Sequence, residues 1–303
     1  MNQDQLFSFS FQDAHIRGAL VQTKFSFQEL TTQHGSQTQY PLYIKHLLGE
    51  MNAILVLMAS NLKLSGKMNL QIRGSGHLYS VFTEVQIKDN GGENDDLEPL
   101  KIRGIARRHD DQAQPTSLDL RDWVGQNATL AISLIPDVGQ PYQGVIPLSH
   151  PRLHQCIEEY YQLSEQLPTF FWTQIEDDAC AAIMIQSMPS NAEDEDVSID
   201  LETAKMLANT LKPGELIETS PELMLHRLYH EFPIRQHLAR HVKYECSCSP
   251  ERMLQTLVSL GEKEITEISQ TTPIIEMNCQ FCGSTQQWPA EDVIKKIREE
   301  SDS

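Results

Sequence analysis

The chain has 303 residues, of which 42 are acidic and 24 basic, for a formal charge of -18. A negative field of that size repels phosphate backbones and anionic membrane surfaces, which argues against nucleic acid and membrane partners. It also keeps in solution a protein that must expose apolar surface at some moment. The length allows one large core and a second, smaller module.

The opening residues, MNQDQLFSFSFQDAH, carry no early Lys or Arg and no apolar run of signal-peptide length, so a cytoplasmic location is expected. The longest apolar stretch, Ala53 to Ala59, is far short of the ~20 residues that cross a bilayer. Six cysteines in a reducing compartment are poor candidates for permanent disulfides. Closely spaced pairs among them point instead to metal or redox chemistry.

From Tyr40 to Leu64, apolar residues recur at three- and four-residue steps (Ile44, Leu47, Leu48, Met51, Ile54, Leu55, Met58 and Leu62), which predicts a core helix. After Ser65-Gly66 the period becomes two. Met68, Leu70 and Ile72 alternate with polar residues, Gly74-Ser75-Gly76 turns the chain, and a second alternating run covers Leu78 to Ile87, as in a hairpin. Further strands are expected at Leu100 to Ala106, Thr129 to Ile135, Gly144 to Leu148, Thr169 to Ile175 and Ala181 to Met188, with a helix over Arg152 to Leu167. Strands that mostly adjoin without intervening helices predict an α+β class: an N-terminal mixed α/β core domain with antiparallel-rich sheets over residues 1–190.

Glu193, Asp194, Glu195, Asp196, Asp200 and Glu202 then fall within a stretch that has no basic residue, and a boundary is placed there. Short helices follow at Leu201 to Leu211 and Glu222 to His230, broken by Pro213-Gly214 and Pro221. They are too short and polar to build a core. The segment 191–244 is therefore an acidic helical linker that either leans on the first domain or is only marginally ordered.

Residues 245–303 hold Cys246-Ser-Cys248, 30 residues, then Cys279-Gln-Phe-Cys282-Gly. Two close pairs across a spacer are how a chain delivers four thiolates to one tetrahedral zinc ion, with Gly283 suited to the second turn. Within the spacer, Ser249 and Pro250 start a helix that Gly261 stops, and Glu262 to Ser269 allow another. A static zinc ribbon is the plainer alternative, but ribbons use two CxxC knuckles. A disulfide across the single residue of Cys246-Ser-Cys248 would be strained and easily reduced again, which suits a sensor. Zinc contributes roughly 10–16 kcal/mol to small modules, so its ejection would unfold this one. A thiol-disulfide oxidoreductase using the CxxC pair is the alternative from another class.

Other residues read as structural. Cys156 and Cys180 lack close partners and are expected to be buried packing residues. His226 with His230, and His237 with His241, have a metal-like spacing but no third ligand or HExxH pattern. Nucleotide loops and a GxSxG elbow are absent from the sequence. Phe170, Phe171, Trp172 and Met184 are expected in the core.

With its CSC, 30 residues, CQFC pattern, RGSG at Arg73 to Gly76, YQGVIPL at Tyr142 to Leu148, YYQLSEQLPT at Tyr160 to Thr169 and LHRLYHE at Leu225 to Glu231, the chain resembles the heat shock protein 33 family of redox-regulated bacterial holdase chaperones over nearly its whole length. Ser75 and His77 depart from that pattern, since relatives often carry Asp and Pro in this turn. The resemblance implies one zinc ion (Zn2+) per chain on Cys246, Cys248, Cys279 and Cys282 in the reduced, inactive state. It implies that oxidation joins Cys246 with Cys248 and Cys279 with Cys282, that zinc leaves and the linker unfolds, and that the protein, commonly as a homodimer, then holds unfolding clients for an ATP-dependent chaperone system. No catalytic residue is implied.

Overall fold

The computed structural model describes residues 4–12, 14–32, 40–88, 97–189 and 199–301. Glu193 to Asp196, the most acidic part of the expected boundary, lie outside these residues. The chain forms two compact units, one of Met1–Thr31 with Tyr40–Glu245 and the other mainly Cys246–Ser303.

In chain order the first unit contains β1 (Gln5–Phe11), β2 (Ile16–Thr23), α1 (Phe25–Thr31), α2 (Leu42–Ala59), β3 (Gly66–Arg73), β4 (Leu78–Ile87), β5 (Leu100–Arg108), α3 (Leu120–Val124), β6 (Thr129–Pro136), β7 (Tyr142–Pro147), α4 (Leu153–Tyr160), β8 (Thr169–Ile175), β9 (Cys180–Ser187), α5 (Leu201–Ala208), α6 (Glu215–Glu218), α7 (Pro221–Tyr229), β10 (Ile234–Gln236) and β11 (Arg240–Tyr244). The architecture is α+β. One sheet runs β7-β6-β3-β4-β5-β11-β1-β2-β9-β8, with β10 also paired to β1. All its ladders are antiparallel except β11 with β5, where Val242, Lys243 and Tyr244 lie beside Leu100, Lys101 and Ile102.

Helix α2 is the centre of the core. It is the one described helix long and apolar enough to cross a bilayer, although polar residues interrupt its apolar run, and 72% of it is buried inside the protein. It packs with Met68, Leu70 and Ile72 of β3, Val81 and Val85 of β4, and α4. Strands β2 and β9 pair from Ile16↔Ser187 to Thr23↔Cys180, and alternate residues point to opposite faces. Ala19, Val21, Ala182 and Met184 join the α2 core. Leu20, Ala181, Ile183 and Ile185 join Phe9 and Phe11 in a second cluster on the other face. Both faces are buried, which is why β9 is covered along its length from Cys180 to Gln186.

That second cluster is completed by the linker. Its described part contributes Ala204, Leu216, Met224, Leu225, Leu228 and Tyr229. Asp200 caps α5 by accepting from the Thr203 N–H, and Ser220 caps α7, with Pro221 in its first turn. Two sheet glutamines hold the linker backbone. The Gln22 amide donates to the Leu216 and Thr219 carbonyls, each at 2.7 Å, and Gln174 donates to Lys212 O and accepts from Leu216 N. The linker then adds β10 and β11 to the sheet.

Three local findings qualify the sequence analysis. The helix expected over Arg152 to Leu167 ends at Tyr160 and passes through a π turn, Tyr161–Glu165. Gln166 then caps the turn with a left-handed φ of 56°, and Pro168 disfavours helical geometry at Leu167, so the helix does not resume. In the Gly74-Ser75-Gly76 turn, a Cβ on Gly74 would lie 1.9 Å from Val124 O and one on Gly76 2.6 Å from Trp123 O, so the turn is pressed against α3. His77 is buried there, with Nε2 2.8 Å from the Tyr43 hydroxyl.

Tyr229 carries much of the linker's grip. It is 1% exposed, meets Phe11 edge-to-face at 5.0 Å and donates its hydroxyl to Ala204 O. Tyr229→Ala is expected to weaken the linker cover by about 3–5 kcal/mol. Hydrogen exchange should quicken across α5 to α7 while β3, β4 and β6 keep their protection.

Candidate metal centre

The second unit contains α8 (Pro250–Val258), α9 (Glu262–Ser269), β12 (Ile274–Asn278), β13 (Thr285–Pro289) and α10 (Ala290–Ser301). Ser249 caps α8 by accepting from Arg252 N, and Pro250 occupies its first turn. Gly261, at φ 88°, separates α8 from α9. These features match the spacer as expected. The β12–β13 hairpin and α10 were not anticipated, although Val293, Ile294 and Ile297 have helical spacing and Ile275 and Met277 alternate as in a strand. Leu257, Ile265, Ile275, Ala290, Val293 and Ile297 make up the buried core.

The two cysteine pairs are positioned by different devices. Cys246 and Cys248 lie on the irregular segment that leads into α8, where the Arg252 guanidinium donates to Ser247 O at 2.7 Å. Cys279 and Cys282 occupy the tip of the β12–β13 hairpin, whose last pair is Asn278↔Thr285. There Cys279 N donates to Ser284 O at 2.9 Å and Gly283 N to Cys279 O at 2.8 Å. Gly283 takes a φ of 70°, a left-handed conformation that glycine adopts without strain.

These two segments bring all four sulfurs within 4.8 Å of one another. Cys246 Sγ is 3.6 Å from Cys279 Sγ, and Cys248 Sγ is 3.3 Å from Cys282 Sγ. The short contacts therefore run between the pairs. Ligands about 2.3 Å from a tetrahedral zinc ion are about 3.8 Å apart, close to this spacing, whereas a disulfide requires about 2.05 Å. Burial pushes the Cys246 thiol up; burial and the Cys282 thiol do the same to Cys248. Burial also opposes ionisation of Cys279, but backbone N–H groups of Cys282 and Phe281 and neighbouring thiols outweigh it and hold that thiol below its ordinary value. Four thiolates this close need a cation among them, and the donor set fits a thiophilic divalent metal. Ser284, whose hydroxyl lies 3.8 Å from Cys248 Sγ, is a neighbour that spacing alone did not reveal.

The remaining candidates stay apart from this cluster. Cys156 and Cys180 are buried, and burial pushes both thiols up. Cys180 lies against Gly49 O at 3.4 Å. His226 and His230 stack at 5.6 Å, and among the described residues the four cysteines are the one group of three or more potential ligands close enough to share an ion. Phe171 and Met184 are core residues. Phe170 lies under the Lys205 ammonium and Trp172 donates to Asn209, so both face the linker.

The family model described as Hsp33 protein matches residues 4–288. The chain belongs to the Hsp33 family. A "33 kDa chaperonin" of Shewanella baltica (strain OS155) is 36% identical over 293 residues, covering 97% of this chain and 95% of that protein. The "33 kDa chaperonin" of Hahella chejuensis is 35% identical over 282 residues, 93% of each chain. The crystal structure of the Hsp33 homologue of Thermotoga maritima matches with a TM-score of 0.77 at 17% identity, covering 99% of this chain and 100% of that one; it has the same fold. Membership of this family makes the chain a chaperone, in keeping with a non-enzyme.

Gly283→Val places a β-branched residue at a left-handed φ, at a cost of about 1–2 kcal/mol. Competition against a chromophoric zinc chelator should show about a tenfold loss of metal affinity. Each single Cys→Ser change at Cys246, Cys248, Cys279 or Cys282 should cost far more, whereas Cys156→Ser and Cys180→Ser should leave affinity unchanged.

Proposed function

We propose that this chaperone is an ATP-independent holdase of the cytoplasm, held inactive by one zinc ion on Cys246, Cys248, Cys279 and Cys282 and activated when those cysteines oxidise. The observation that carries this is the convergence of four sulfurs in a module whose core cluster has six buried side chains with six more partly buried around them. Zinc, when bound, supplies the cross-link that keeps the pairs together and their sulfurs ionised.

Two peroxide molecules accept four electrons from the four thiolates. With four protons they leave as water, two disulfides form, and the metal has lost its ligands. Neighbours pair, Cys246 with Cys248 and Cys279 with Cys282. Once the module loosens, the sulfurs of different pairs are separated by a long loop, while those within a pair remain close. The short contacts between pairs belong to the reduced cluster.

The link to the first unit is covalent. Cys246 is the second residue after β11, the strand between β5 and β1. Loss of order at the cysteines therefore begins next to the last linker strand. Release of the linker would uncover Phe9, Phe11, Leu20, Ile183 and Ile185, an apolar sheet face suited to unfolding clients. The activated protein dimerises and passes clients to an ATP-dependent chaperone system.

Peroxide at raised temperature is expected to release one zinc per chain and to reduce the titratable thiols from six to two, Cys156 and Cys180. Aggregation of a chemically unfolded client should then stop. Zinc release without that protection would sink the proposal, and peptide mapping that joined Cys246 to Cys279 would overturn the pairing. Tyr229→Ala should protect the client without oxidant.

A further inference from the structure

The sulfurs of the cluster meet different protein donors. Cys279 has the backbone N–H groups of Cys282 and Phe281 against its sulfur, and Cys246 has the N–H of Cys248. These donors belong to the peptide chain of each sulfur's own segment, and a side-chain substitution leaves them in place. Cys248 is different. Its sulfur lies 3.8 Å from the hydroxyl of Ser284, a side chain 36 positions later that belongs to the other cysteine segment.

The hairpin tip fixes where that hydroxyl stands. Gly283, at φ 70°, turns the chain immediately before it. The Ser284 carbonyl accepts from Cys279 N at 2.9 Å, and the next residue, Thr285, closes the last pair of the β12–β13 ladder with Asn278. Ser284 is half-buried. Among the described residues the Cys248 sulfur is the one hydrogen-bond partner of its hydroxyl. Through its carbonyl and its hydroxyl, Ser284 therefore touches both cysteine pairs.

The direction of the hydroxyl contact follows from chemistry. A thiol can give or accept a proton, but an ionised sulfur has none to give, so in the metal-loaded cluster the hydroxyl donates. A donor to an ionised acceptor makes a charge-assisted bond, stronger than the same contact to a neutral thiol. It therefore favours the loaded cluster over the empty one. It also draws on the sulfur electron pair that forms an S–O bond as the O–O bond of peroxide breaks and hydroxide, with a proton, leaves as water. A less basic thiolate is a weaker nucleophile in that step. Partners of metal ligands tune affinity and reactivity in this way.

We propose that Ser284 is a positioning residue of the switch: its hydroxyl donates to the Cys248 sulfur, holds it in the metal cluster and so sets the peroxide dose at which the cluster yields. This rests on the proposed zinc switch and adds to it a side chain outside the four ligands.

The test compares full-length parent, Ser284→Ala and Ser284→Thr. Ser284 does not share the left-handed φ of Gly283, so threonine fits its backbone. Competition against a zinc chelator should show about a fivefold loss of affinity in Ser284→Ala, the worth of one hydrogen bond, and parental affinity in Ser284→Thr. In the cobalt-loaded proteins the sulfur-to-metal charge-transfer band should move to longer wavelength in Ser284→Ala and return in Ser284→Thr, a shift that a purely structural role would not produce. The peroxide concentration that releases half the zinc should fall in Ser284→Ala alone. Parental affinity or an unaltered peroxide dose in Ser284→Ala, an affinity loss with the cobalt band unmoved, or a threonine variant that behaves like alanine would each overturn the proposal. Affinity and spectrum are read without oxidant or client, so zinc release that brings no client protection would count against the switch alone.

Discussion

Everything in the first unit follows from the need to bury both faces of β2 and β9. Helix α2 covers one face, and a single helix layer cannot reach the other. Phe9, Phe11, Leu20, Ile183 and Ile185 would stand in water if nothing lay over them, each forgoing about 1.5–3 kcal/mol. The linker helices supply that cover although none is long enough to be stable alone. Their order is borrowed from the sheet, and the sheet's solubility is borrowed from them.

That mutual dependence gives the cysteine module its leverage under the proposed function. Six buried side chains with six more partly buried around them make a small core for a module of this length, so under that proposal the metal cross-link decides whether the module is folded. The linker helices are attached to the sheet by two glutamines, one buried tyrosine and a modest apolar stripe, and only the linker's end is paired into it, through β10 and β11. It is a cover that stays in place without being locked.

The sequence disclosed the parts whose pattern is local. The periodicity of α2, the β3–β4 alternation, the Ser249-Pro250 start and Gly261 stop of α8, and the four cysteines were all legible because short-range chemistry dictates them. The alternating Phe-Ser-Phe-Ser-Phe run of β1 is not among the strands expected from sequence, since the apolar linker layer it faces comes from residues about two hundred positions later. β11 was hidden for a related reason. Arg240, His241 and Lys243 read as linker, and only Val242 and Tyr244 turn inward. Its place in the sheet is set by tertiary pairing, which propensity does not register. The convergence of the sulfurs was legible as a set of residues, while the hairpin tip and Ser284 depended on the fold around them.

The position of β11 bears on time as well as on structure. It is an interior strand, joined antiparallel to β1 and parallel to β5, so the two halves of the sheet meet along it. A strand can leave such a seam by fraying from one end. Its return requires two neighbours to be aligned at once across a large sequence separation, the kind of non-local pairing that folds slowly. Departure and return would then follow different clocks, and the protein would keep a memory of an oxidising episode after its cysteines had been reduced.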